Sequence, residues 1–148
     1  MSLEGFDESL GGKWILVRNE GFDEYLSAMG VGYIKRKIAG AVTTKMEMIK
    51  VNDKRIRIVT KGPKDMDTQI NIDEEIDEVD PFDNKIKVKV TWDPAAKLLR
   101  TESNPAEGSA AKTSIVERKI VENGEMLMEV TLPNEKIVCK RYFKKEES

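Results

Sequence analysis

Histidine is absent from the 148-residue chain, and cysteine occurs once, at Cys139. A single thiol closes no intramolecular disulfide, and without histidine the usual zinc sets of four Cys and His ligands cannot be assembled. A reducing compartment is the expectation. No apolar run approaches the 18 or more residues needed to cross a bilayer as a helix. The N-terminal stretch MSLEGFDESLGGKW has neither the basic nor the apolar region of a secretory leader, so the chain reads as soluble and cytosolic. A field of one sign is missing too: 25 basic and 27 acidic side chains leave −2. That argues against nucleic acid as a partner. No GxSxG elbow, phosphate loop or spaced metal set occurs, which leaves hydrolase or transferase chemistry without machinery and implies no cofactor and no metal.

What is present fits one domain over residues 1–148, long enough to take roughly 70 % of its unfolded surface out of water. GKWILVRN (12–19) reads as a first strand. It gives way to FDEYLSAM (22–29), where Phe22, Tyr25, Leu26 and Met29 recur at helical spacing. GVG breaks that helix, and YIKRKIAG (33–40) resumes it until Gly40. Beyond residue 45 turn signals punctuate the chain, among them VNDK, KGPKD, VDPFDN, DPAA, ENGE and LPNE. Antiparallel hairpins result. KIKVKVTW (85–92) sets Ile86, Val88, Val90 and Trp92 against Lys85, Lys87, Lys89 and Thr91, and RIRIV (55–59) alternates likewise. With MEMIKV, TQINI, IDEV, KLLRTE, TSIVERKIV, MLMEVTL and IVCKRYFKK the count is ten strands. Ten antiparallel strands with polar outer faces shed their edges by closing on themselves, so an all-β, up-and-down barrel or clam is expected. The two helices cannot lie in its wall and should cover one open end as a helix-turn-helix lid. Such a barrel is wider than the eight-stranded kind that side chains fill, and a cavity is expected.

Two cations sit where alternation places apolar groups. In IVCKRYFKK, Ile137, Cys139, Arg141 and Phe143 share one face, and in TSIVERKIV, Ser114, Val116, Arg118 and Ile120 do the same. A register slip of one residue would turn either arginine to solvent. If both point inward, each needs a partner, internal water or a ligand anion to offset desolvation. A ligand carboxylate suits the guanidinium fork. The alternative is an internal ion pair, with Glu102 or Glu129 as its acid.

These residues resemble the intracellular lipid-binding proteins, the fatty-acid-binding and cellular retinoid-binding family, over nearly the whole chain. The family's N-terminal signature is met by Gly12, Trp14, Leu16, Gly21, Phe22, Asp23, Tyr25 and Leu26 at every fixed position. GVGYIKRKIAG is similar to its second helix, IDEV to its F-D-E-V, and IVCKRYF to its last strand. The resemblance implies a ten-stranded clam with a helical lid, and it puts Arg118 and Arg141 on the arginines that hold the ligand's carboxylate. Two arginines favour a fatty acid or retinoic acid over an alcohol. The family's final R-x-Y becomes Arg141-Tyr142-Phe143 here, so its hydroxyl is missing at Phe143 unless a bulge turns Tyr142 inward.

By the same resemblance Phe22 and Tyr25 rim the portal through which a ligand passes; the plainer reading is that they staple the lid. Met128 shares a face with Met126 and Val130 and is placed either against an acyl chain or in ordinary wall packing. Cys139 reads as a small buried apolar group. Lys35, Arg36 and Lys37 are a solvated helix face, or else a surface for transient contact with anionic membranes or for nuclear import. The function expected is a non-enzymatic, monomeric carrier moving long-chain fatty acids between membranes and proteins. Its alternatives are a retinoic acid carrier and a lipid-sensing adaptor docking on a nuclear or membrane partner.

Overall fold

Alternation decides the architecture, strand by strand. The structure, a computed structural model, describes residues 2–146. Ten strands form one antiparallel sheet: β1 (Gly12–Glu20), β2 (Lys45–Asn52), β3 (Arg55–Lys61), β4 (Met66–Asn71), β5 (Glu75–Val79), β6 (Lys85–Asp93), β7 (Leu98–Pro105), β8 (Ser114–Ile120), β9 (Met126–Leu132) and β10 (Ile137–Lys145). Each strand neighbours the next in sequence, and β1 pairs with β10, giving the order β4-β3-β2-β1-β10-β9-β8-β7-β6-β5. In β6 the apolar set is buried and the lysines are exposed, as period two requires.

The barrel is nearly closed. No ladder joins β4 to β5, so the edges expected to vanish remain along this seam. Charge guards it: Asp67 is exposed on β4, Glu75 and Asp77 on β5, and such groups discourage edge-to-edge pairing with another chain. Residues 72–74 are tied back at its lower end, where the Ile72 N–H donates to the Lys54 carbonyl and the Asp73 N–H to the Val90 carbonyl. Between the turns at its other end, Lys64 reaches Asp83 at 3.0 Å.

Three helices accompany the sheet: α1 (Phe6–Ser9), α2 (Phe22–Ala28) and α3 (Tyr33–Ala41). Tyr25 of α2 meets Phe82, before β6, ring to ring at 6.2 Å. Phe6 of α1 meets Trp92, at the far end of β6, at 5.5 Å and 81°. The helices therefore mark opposite ends of the barrel, with α2 and α3 at the lid end as expected. The sequence reading did not anticipate α1, a single short turn too brief to show periodicity. It seals the other end: Leu3, Phe6 and Leu10 are fully buried, the Trp92 indole donates to the Glu4 carbonyl at 2.8 Å, and the Trp14 indole donates to the Leu10 carbonyl at 3.0 Å.

Candidate functional site

β10 keeps an unbroken period of two, so Cys139, Arg141 and Phe143 all project inward. Arg141 stands opposite Met128 of β9, and Met128 stands opposite Arg118 of β8. Arg118, Met128 and Arg141 thus form one inward row across three strands. Phe143 lies two positions along, fully buried, opposite Leu16 and Met126. Tyr142 faces outward, where the Arg18 guanidinium stacks on its ring at 3.9 Å. The missing hydroxyl is therefore not restored by Tyr142.

The two arginines are held differently. Arg118 is only 8 % exposed; its Nε has no hydrogen-bond partner, and no carboxylate pairs with it among the described residues. Burial pulls its pKa down to about 10. Arg141 donates from Nε to the Asn19 side-chain oxygen at 2.9 Å and from Nη2 to the Thr44 hydroxyl at 3.1 Å. Phe22 of α2 lies under its guanidinium at 4.3 Å. Burial lowers its pKa also, with Cys139 and Tyr25 acting against that shift.

The internal ion pair is overturned. Glu102 pairs with Arg100 at 3.0 Å, and Glu129 lies 4.0 Å from Lys140, both on the outer wall. The reason is parity: Glu102 alternates with the inward Thr101 and Ser103, and Glu129 with Met128 and Val130. Neither acid can reach the interior without a slip.

The α2 residues meet the same region. Gly21, which precedes α2, has φ of +71°, and a Cβ there would come within 2.8 Å of the Val138 carbonyl. Only glycine turns the chain this tightly against β10, and the turn delivers Phe22 to Arg141. Phe22 also lines an open depression of about 410 Å³ with Asp23, Arg36, Lys37, Gly40 and Ala41 of the lid helices. The Tyr25 phenol is pushed up to about 12 by burial, with Cys139 and Asp80 adding to the effect and Arg141 opposing it. Cys139 is fully buried and its thiol is raised to about 11, again by burial first.

The interior is unevenly filled. Met48, Val90, Leu99 and Met126 are buried, whereas Ile58, Thr101, Val116 and Met128, inward at mid-strand, stay half-buried. This arrangement can receive an elongated apolar molecule with one anionic end: aliphatic walls and two cations without a carboxylate partner among the described residues.

The model of the Lipocalin / cytosolic fatty-acid binding protein family matches residues 11–144. The chain belongs to this family. It is 35 % identical over 137 residues to the sodium/calcium exchanger regulatory protein 1 of Doryteuthis pealeii, covering 92 % of this chain and 96 % of the relative. It is 32 % identical over 142 residues to the cellular retinoic acid-binding protein 2 of Rattus norvegicus, covering 93 % and 99 %. Among solved structures, the REP1-NXSQ fatty acid transporter superposes with a TM-score of 0.80 at 32 % identity, over 94 % of this chain and 97 % of that one. Membership of this family places the chain among lipid-binding carriers rather than enzymes.

Two residues at the site escaped the sequence reading. A bulge at Val17 shifts the β1–β10 register between Leu16 and Arg18, so the parity set by Trp14 and Leu16 inverts. Arg18 turns out and Asn19 turns in, opposite Arg141. Thr44 lies between α3 and β2, where no periodicity operates; it is 1 % exposed. The trace in the sequence is Arg18, a charge that an unbroken period of two would put on the face of Trp14 and Leu16.

Proposed function

We propose that the chain is a monomeric, single-domain carrier of long-chain fatty acids, with the carboxylate received by Arg118 and Arg141 and the acyl chain lying against Met128 and the aliphatic walls. One observation carries the reading. Two inward guanidiniums flank Met128 in one row with no protein carboxylate paired to either among the described residues, and buried cations of this kind call for an anion. The names of two relatives, a fatty acid transporter and a retinoic acid-binding protein, support an acidic lipid and keep retinoic acid as the competing cargo. Chain burial at about 0.8 kcal/mol per CH₂ drives binding, and the arginines orient the head group. Phe22 and Tyr25 line the way in. Delivery involves transient contact of the lid with anionic membranes, in the cytosol and, for some cargo, the nucleus.

The test is organic extraction of the purified protein followed by mass spectrometry, together with displacement of a fluorescent fatty acid. Co-purified or displaced acidic lipid is expected, and Arg141→Gln should weaken acid binding about tenfold or more with the fold retained. No lipid in the extract and no fatty acid binding would refute the reading.

A second reading is favoured by the likeness to a sodium/calcium exchanger regulatory protein and by α3, which buries none of its residues. It is a lipid-sensing adaptor whose lid docks on a membrane partner. Membrane recruitment that depends on lipid loading would favour it; recruitment unaffected by loading would remove it.

A further inference from the structure

A guanidinium has five N–H donors arranged as two forks, a side-on pair from Nε and Nη2 and an end-on pair from Nη1 and Nη2. Arg57 shows the side-on use here, closing both bonds on the one carboxylate of Asp67. In Arg141 the same side-on pair is divided between two acceptors from different elements, Asn19 of β1 and Thr44 of the α3–β2 junction. Both acceptors are neutral. They fix the plane of the guanidinium without cancelling its charge, and the Phe22 ring beneath it at 4.3 Å closes one face. What stays available is the end-on fork, for which no partner occurs among the described residues.

We infer that Asn19 and Thr44 are positioning residues that present Arg141 end-on to the acid group of the cargo and so set the preference for a carboxylate over an alcohol. The inference rests on the reading that Arg141 receives the acid. Three features support it. The Val17 bulge is what brings Asn19 inward at the register position facing Arg141. Thr44 is almost wholly buried, and its hydroxyl serves Arg141. Phe143 offers no hydroxyl to steer the acid, so steering falls to the arginine's own orientation.

The test titrates oleate and oleyl alcohol separately into wild type, Asn19→Leu, Thr44→Val, Thr44→Ser, Asn19→Asp and Arg141→Gln. Losing one orienting hydrogen bond is expected to weaken oleate about 5- to 10-fold in Asn19→Leu and in Thr44→Val. Alcohol affinity should stay within about twofold, since no charge is oriented for it. Thr44→Ser should restore oleate binding. Asn19→Asp should cut it by more than about tenfold, because a protein carboxylate then occupies the guanidinium. Equal losses for acid and alcohol, or no loss in either Leu or Val variant, would overturn the proposal. If Arg141→Gln weakens oleate while the Asn19 and Thr44 variants do not, positioning fails and the acid-receiving role stands. If wild type does not bind oleate, or Arg141→Gln leaves it unchanged, both fail together.

Discussion

Arg118 costs the fold stability. Its pKa near 10 lies below the ordinary guanidinium value because burial penalises the charged form. The unfolded chain therefore holds this proton more firmly, and the group's contribution to stability rises as pH rises above about 10. At neutral pH the charge is carried at a loss. Arg118→Met should stabilise the ligand-free protein by about 1–3 kcal/mol in urea unfolding, while weakening fatty acid binding; destabilisation would mean that the cation has a protein partner. Cys139 has the opposite sign. Its thiol lies near 11 instead of 9, so the neutral form contributes stability that is fully present below pH 9 and lost as pH rises through 11. At pH 8 a disulfide reagent should label the native thiol at least about 100-fold more slowly than the unfolded one, because burial limits both thiolate supply and access. A labelling time course with and without urea measures both rates.

At the scale of elements, α2 is held from two sides. Gly21 turns it onto β10, and Phe82 meets Tyr25 from the β5–β6 turn. That turn is fixed by Asp80, whose carboxylate accepts the N–H groups of Phe82 and Asn84, each at 2.9 Å. An aromatic pair of this geometry contributes about 0.5–1.5 kcal/mol. Phe82→Ala should therefore speed fatty acid release roughly 2- to 10-fold in stopped-flow dissociation, with little change in the association of the chain's core strands. α3 works differently. Arg36 is used internally, donating to Asp23 at 3.0 Å and to the Val31 carbonyl at 2.8 Å. Lys35 and Lys37 stay exposed beside Ile34, which is 74 % exposed, and Ile38. Lys35→Glu with Lys37→Glu should slow transfer of a fluorescent fatty acid to anionic vesicles several-fold, and added salt should slow the wild type in the same way. Equal rates to neutral and anionic vesicles would remove the membrane-contact role.

Over the whole molecule the two ends are unequal. One is sealed by Leu3, Phe6 and Leu10 against Trp14 and Trp92, and the cluster continues through Met46, Met48, Ile56, Leu99 and Met126. The other end carries the lid, the open depression at Phe22 and the Phe22 ring against Arg141, while Arg118 stands opposite Leu99 of the sealed cluster. The buried cluster is concentrated at the sealed end, away from the lid helices. Phe6→Ala should cost about 3–5 kcal/mol of unfolding free energy yet leave fatty acid affinity in the folded protein within about twofold. Chemical denaturation and titration below the transition check the two halves of that statement.

The fold was legible because a strand needs only a period of two, and KIKVKVTW, RIRIV and IVCKRYFKK each show one. The inward aim of Arg118 and Arg141 follows from that period, once the barrel closes around it. What the sequence could not state is where a period breaks. The Val17 bulge that turns Asn19 toward Arg141, the placement of Thr44 by the α3–β2 junction, and the short turn from Phe6 that plugs the barrel all arise from contacts between distant segments. Local pattern determined which face each side chain takes along an unbroken strand. Only the closed wall decided which of those side chains meet, because register between strands is set by packing across the sheet and not by neighbours along the chain.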